Sequence, residues 1–197
     1  MGEDRPTWRD YNDAQLHRPV RPLAARLIER AGVGDGRPAI DLGCGSGVET
    51  RALVAAGWHV TAVDTDASMP ARLADLVATG DATTVVGDLR ALELGRYALV
   101  HSSLTLPFLP LTDFAFVWER VRRSLLPGGW LGADLFGVRD DWNTTPELNF
   151  HPRAGIDQLL AGLDALEVVE EERDGPSFGG AVKHWHVFHV LARSRET

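Results

Sequence analysis

The chain has 197 residues, 44% of them hydrophobic and 24% charged, with 20 basic against 28 acidic side chains and a formal net charge of −8. That length suits one domain whose core needs no staples, and the single cysteine, Cys44, excludes an internal disulfide framework and fits a reducing cytoplasm. The acidic balance repels polyanions and argues against nucleic acid as a partner; no apolar run approaches the ~18 residues of a membrane span, and the polar N-terminus has no signal-peptide core.

Residues 1–18 show little periodicity but include Trp8, Tyr11, His17 and Arg18, and serve either as a lid over the mouth of a site or as a packed N-terminal arm. Val20, Leu23, Ala24, Leu27, Ile28 and Ala31 then recur at helical spacing until Gly32 and Gly34 stop the pattern. An apolar run follows, Ala39-Ile40-Asp41-Leu42-Gly43-Cys44-Gly45-Ser46-Gly47, which reads as a strand, a glycine loop and the start of a helix over Val48–Ala56. Glycine allows positive φ and close approach to the backbone, and a helix start offers unpaired N–H groups, so a ligand is expected on Gly43, Cys44, Gly45, Ser46 and Gly47. The dinucleotide fingerprint G-x-G-x-x-G fails here, because Val48 and Thr50 stand where its third glycine belongs.

Trp58–Val63 reads as a second strand ending on Asp64, with Thr65 beside it. A strand-helix-strand unit delivers a carboxylate at that place beside the glycine loop, suited to both hydroxyls of an adenosine ribose. Ser68 is expected to cap a helix to about Thr79, with Leu73, Leu76 and Val77 facing inward. Thr83–Val86 is a third strand ending in Gly87-Asp88-Leu89, and Ala98–His101 a fourth, followed by Ser102 and Ser103. Phe114, Val117, Trp118, Val121 and Leu125 mark a helix face. Pro127-Gly128-Gly129 reads as a turn into the strand Trp130–Phe136.

The connection from Gly137 to Pro152 is long enough to suggest a functional loop and carries Arg139, Trp142 and His151. A helix around Ile156–Leu163 and strands over Ala165–Glu172 and Lys183–Ala192 complete the chain, the last with large residues on both faces and therefore interior to a sheet.

Asp41-x-Gly43-x-Gly45-x-Gly47 resembles motif I of the class I S-adenosylmethionine (SAM)-dependent methyltransferases, and Leu-Leu-Pro-Gly-Gly before the fifth strand recurs in that family. Ser-Leu-Thr-Leu-Pro-Phe, Leu-Phe-Gly-Val-Arg-Asp-Asp-Trp and Lys-His-Trp-His-Val-Phe-His resemble its small-molecule, tellurite-resistance-type subgroup, a label that says little about the acceptor. The resemblance spans roughly residues 20–194. It implies an α/β, Rossmann-like, doubly wound seven-stranded sheet, mostly parallel with an antiparallel last strand inserted beside the fifth. Residues 1–18 would be the arm or lid and 19–197 a single methyltransferase domain.

The implied reaction is SN2 transfer of a methyl group from SAM to an O, N or S atom of a small-molecule acceptor, leaving S-adenosylhomocysteine (SAH). In this reading Asp41 and the glycine-loop amides hold the methionine part. Asp64 with Thr65 holds the ribose, Gly87, Asp88 and Leu89 meet the adenine, and His101, Ser102 and Ser103 lie near the methionine and the transferred methyl. Candidate bases or acceptor binders are His151, His184 and Asp134, with Trp8, Tyr11, Arg139 and Trp142 as pocket residues. His184 and His186 share a strand face but have no third ligand at a recognisable spacing, so no metal is expected. The Asn-Pro-Pro-Tyr motif of enzymes that methylate nucleobases or protein glutamine is absent. No nucleic acid or membrane partner is expected, and the chain would be a monomer or homodimer. The alternatives are a non-catalytic SAM- or SAH-binding protein and a protein or RNA methyltransferase.

Overall fold

The computed structural model describes residues 7–177 and 180–196. In chain order the elements are α1 (Trp8–Ala14), α2 (Pro22–Ala31), β1 (Pro38–Leu42), α3 (Val48–Ala55), β2 (His59–Asp64), α4 (Met69–Arg72), α5 (Ala74–Ala78), β3 (Ala82–Val86), β4 (Tyr97–Ser102), α6 (Leu111–Ser124), β5 (Leu125–Phe136), α7 (Arg153–Leu159), β6 (Leu163–Pro176) and β7 (Val182–Ser194). The strands form one sheet in the order β3-β2-β1-β4-β5-β7-β6. Strands β1 to β5 pair in parallel, and β7 runs antiparallel between β5 and β6. The expected doubly wound sheet, with its last strand inserted beside the fifth, is therefore what the chain forms.

Each face has its own core. On one side α6 sets Phe114, Val117, Trp118 and Val121 against Val100, Leu131, Ala133 and Val190. On the other, Leu23 and Leu27 of α2 and Leu53 of α3 cover Ala39, Val60, Leu99 and Leu191. Both faces of the central strands are thus removed from water, which is why these strands read as near-continuous apolar runs. At the N-terminus, Thr7 and Asp10 form a reciprocal capping box that starts α1, a signal missed in a segment read as non-periodic.

Several expected boundaries move. The helix expected from Ser68 to Thr79 is two short pieces meeting at Leu73, whose φ of −113° leaves the helical range. Ser68 makes no side-chain cap; its hydroxyl donates to Asp66 (2.6 Å), which also accepts from Asn12 and Arg72. Leu73 is buried, but Val77 is exposed rather than inward. Pro127-Gly128-Gly129 lies inside β5, whose register against β4 shifts between Tyr97 and Leu99. A proline without an N–H is tolerated at such an irregularity.

The buried Leu73 packs against the glycine loop. Gly47, at φ +80°, would place an added Cβ 2.6 Å from Leu73 Cδ2. Gly47→Ala is therefore expected to cost about 1–3 kcal/mol, from the left-handed backbone and the clash together. A urea midpoint equal to that of the parent would contradict this packing.

Candidate active site

Strand alternation places Ala39 and Asp41 of β1, Leu99 and His101 of β4, Gly132 and Asp134 of β5, and Leu191 and His189 of β7 on the α2 side of the sheet. On that face the apolar residues lie under α2, and the polar ones continue towards the C-terminal ends of the parallel strands. Ligands bind at such ends in open α/β sheets. A cavity of about 350 Å³ lies there, walled by the glycine loop, the ends of β2, β3 and β4, and α1.

Asp41 is 1% exposed, and both its oxygens are engaged: one accepts the Thr50 hydroxyl (2.6 Å), the other the His101 Nδ1–H (2.8 Å). Burial alone would lower the His101 pKa, but the Asp41 carboxylate outweighs it and holds the ring above its ordinary value. His101 Nε2 is buried with no partner among the described residues. Next to this pair Glu49, in the first turn of α3, is 3% exposed and held by the Arg18 guanidinium through two contacts of 2.5 Å.

The glycine loop turns most of its amides inward. Gly43 and Cys44 N–H donate to the Val63 carbonyl, Gly45 N–H to Asp64 Oδ2 (2.7 Å), and Gly47 N–H to the Cys44 carbonyl. Asp64 also accepts the Asp66 N–H on Oδ1 (2.9 Å), so each of its oxygens keeps a lone pair at the cavity. A Cβ on Gly45 would come within 2.8 Å of Asn12 Oδ1, so its absence lets α1 close over the loop. Burial raises the Cys44 thiol pKa and leaves it a packing residue.

The structure brings many of the expected residues together and separates others. Asp41, Gly43, Cys44, Gly45, Ser46, Asp64, Thr65, Gly87, Asp88, Leu89, His101 and Ser103 line one cavity with Trp8 and Tyr11. Gly47 does not line it and packs on Leu73. Ser102 is fully buried, its hydroxyl donating to the Leu42 carbonyl (3.3 Å). Asp88 stands at the rim, its carboxylate gripped by the Arg90 guanidinium.

None of the residues expected from the loop after β5 lines the cavity. Arg139 reaches Glu170 (2.5 Å) and Glu172 (2.7 Å) on β6. Trp142 packs on Lys183 Nζ, 3.7 Å from the ring centre, and on Trp185. His151 is buried against Phe114 and donates from Nε2 to Asn149 Oδ1 (2.8 Å). His184 lies between Asp174 and Glu172 on the outer ribbon, and those hydrogen bonds raise its pKa. Glu170, Glu172 and His186 come within reach of one another, but the Arg139 guanidinium already sits between the two carboxylates.

Asp134 stands just behind the cavity wall. It accepts the hydroxyl of Ser103, which lines the cavity, and the Nδ1–H of His189 (2.7 Å). Burial would lower the His189 pKa, and Asp134 raises it. Leu104, next to Ser103, adopts φ +52°, a left-handed conformation costly for a branched side chain at a strand end facing the cavity. Missed in the sequence were Asn12, Arg21, Glu49 and Phe108, all cavity residues.

Residues 39–129 match the family described as "Methyltransferase domain". Over 96% of the chain the fold superposes on TehB from Haemophilus influenzae with a TM-score of 0.75 at 15% identity, covering 68% of that protein. Residues 39–129 are thus similar to a methyltransferase domain, and the chain as a whole shares its fold with TehB. The Burkholderia thailandensis 1,6-didemethyltoxoflavin-N1-methyltransferase, solved with 1,6-didemethyltoxoflavin and SAH, shares this fold at a TM-score of 0.70 and 22% identity, over 89% of this chain and 77% of that one. A carboxy-S-adenosyl-L-methionine synthase from Shewanella sp. (strain W3-18-1) is 33% identical over 99 residues, 46% of this chain. The chain spans only 41% of that relative's length. The donor set of the cavity fits SAM: Asp64 has spare lone pairs, and Gly45 lacks the Cβ that would crowd the loop.

The environment of His151 predicts a pH dependence of stability. Burial pushes its pKa down to about 4, below the ordinary 6.5. Between those values the unfolded chain takes up a proton that the folded chain refuses, so its stability contribution is intact above pH 6.5 and is lost as pH falls towards 4. The loss reaches at most about 3 kcal/mol. Urea unfolding of the parent and His151→Gln across pH 4–7 should show a shallower pH slope in the variant; identical slopes would place the loss elsewhere.

Proposed function

We propose that the chain transfers the methyl group of SAM by SN2 displacement to an O, N or S atom of a small-molecule acceptor. The observation that carries this reading is the convergence of the glycine loop, Asp64, Asp88 and Ser103 on one cavity. When bound, SAM supplies an electrophilic methyl on a sulfonium whose departure as neutral SAH drives the displacement. The task left to the protein is alignment and, for an acceptor that carries a proton, its removal.

In this reading Asp64 accepts the two ribose hydroxyls on its spare lone pairs, with Thr65 beside it. Asp88 and Leu89 meet the adenine at the rim. Ser103 donates its own proton to Asp134, so it offers lone pairs to an acceptor O–H or N–H. A proton taken there passes through the hydroxyl to Asp134, which the His189 N–H holds in place. Trp8, Tyr11 and Phe108 supply an aromatic wall, with Trp8 edge-on to Phe108 at 5.0 Å. Trp8 is 48% exposed, so the cavity is open at this side; an open acceptor route favours an enzyme over a non-catalytic binder. Residues 7–18 act as the cover and the described residues from 19 onward as the methyltransferase domain; the part of the expected arm over residues 1–6 lies outside the described residues. A cytoplasmic location, no nucleic-acid partner, and a monomeric or homodimeric state belong to the same reading. No helix among the described residues is long and apolar enough to cross a membrane.

Two substitutions test these roles. Asp64→Ala is expected to lower SAH affinity more than tenfold in calorimetric titration, because it removes charge-assisted hydrogen bonds; unchanged affinity sinks the ribose assignment. Asp134→Asn should keep SAH affinity within about twofold while slowing methyl transfer to a proton-bearing acceptor on the order of 10²-fold, followed as SAH release. An unaltered rate removes Asp134 from the reaction.

A further inference from the structure

Behind the Ser103 side of the cavity lies a short hydrogen-bonded chain with a fixed direction. Ser103 donates its hydroxyl proton to Asp134 Oδ2, and His189 donates its Nδ1–H to Asp134 Oδ1 (2.7 Å). Asp134 is 2% exposed, and among the described residues these are its side-chain donors. Ser103 therefore cannot turn its proton into the cavity without leaving a buried carboxylate oxygen unsatisfied, which is costly. It meets a ligand with lone pairs alone. A thiolate, halide or oxyanion is repelled there, and a thioether or tertiary amine finds no donor; a neutral O–H or N–H completes the contact. On its other side His189 turns Nε2 towards Glu171 Oε2 (3.4 Å), a carboxylate of β6 that reaches water. Burial works against charge on this ring, Asp134 and Glu171 outweigh it, and Arg26 of α2, itself paired with Glu167 (2.9 Å), opposes them. The imidazolium and the Asp134 carboxylate thus form a neutral pair inside the sheet.

We infer that the site selects neutral methyl acceptors that carry a proton on the reacting atom, and that His189 is the positioning residue that lets Asp134 take this proton up at constant net charge. The inference rests on the SAM reading of the cavity. In the transfer, the acceptor's electron pair forms the bond to carbon, and the C–S pair stays on sulfur to leave SAH. The acceptor proton goes to Ser103 Oγ as the Ser103 proton goes to Asp134, and His189 releases its Nε2 proton past Glu171 to solvent. When the product leaves, Asp134 returns its proton through Ser103 to the cavity water and His189 regains one, so each methyl transfer releases a single proton. The test supplies the full chain with SAM and with phenol, aniline, thiophenolate or N,N-dimethylaniline, and follows SAH release. Phenol and aniline should react about tenfold faster or more, although thiophenolate is the stronger nucleophile. Equal or faster turnover of thiophenolate or N,N-dimethylaniline, or turnover of no probe by a chain that binds SAH, overturns the assigned class. His189→Asn keeps a neutral N–H towards Asp134 and loses the charge. It should hold SAH affinity within about twofold, slow phenol about tenfold, and move the acid limb of the phenol rate to higher pH, because the carboxylate that accepts the proton has lost its cation. An unchanged rate, or a slower reaction with an unshifted limb, overturns the role of His189. Failure of the unsubstituted chain to bind SAH is a different result: it removes the SAM reading on which the inference rests.

Discussion

A buried carboxylate at the end of β1 sets the geometry of this molecule. Asp41 cannot be left without donors in an apolar sheet, and it finds them in Thr50 of α3 and His101 of β4. That requirement sets the first turn of α3 and the end of β4 relative to β1, and with them the two walls of the cavity. Glu49 follows on α3, also buried, and draws Arg18 and the Arg21 backbone from the N-terminal segment. The cover is therefore attached to the site by charge, reinforced where Asn12 meets Asp66 and Asp13 meets Arg72.

The two faces of the sheet divide the labour. Under α6 the strands are apolar as far as Ser102, the last residue of β4. Under α2 they turn polar towards their C-terminal ends, producing a row from Asp41 through His101 and Asp134 to His189. Such a row is expensive unless each member has a partner, and the side chains supply one another's hydrogen bonds. The outer ribbon has a separate economy: Lys183 is buried among Phe136, Trp142 and Trp185 and bound to Asp140, pinning the loop after β5 onto β7. Burial lowers the Lys183 pKa, against the opposing effect of Asp140. Trp142 is committed to that cluster, and Arg139 to the carboxylates of β6.

Local pattern carried the elements whose side-chain period is simple. The helix over Val20–Ala31, the strand into Asp41 and the glycine spacing were legible because each buries a regular stripe or meets a backbone requirement on the spot. Boundaries went wrong where a tertiary partner overrode propensity. Leu73 leaves helical geometry while it packs on Gly47, Ser68 turns its hydroxyl to Asp66 instead of a helix amide, and Pro127-Gly128-Gly129 is carried as an irregularity inside β5 because β4 pairs with Leu125 before it and Trp130 after it.

What the sequence determined by itself was the order of strands and helices, the acid–glycine loop, and the carboxylates at the next two strand ends, since all of these follow from neighbours a few residues apart. The tertiary structure decided which side chains share the cavity. Arg21, Glu49 and Tyr11 meet only because α2 crosses the start of α3, and Asp134 acquires Ser103 and His189 only through the pairing of β4, β5 and β7. His151 and Trp142, equally suggestive as letters, are taken up in packing, His151 where it bridges Gly137 and meets Phe114, and Trp142 against Lys183 and Trp185. Contacts between residues distant in the chain are set by the closure of the sheet, and no spacing along one strand or helix encodes them.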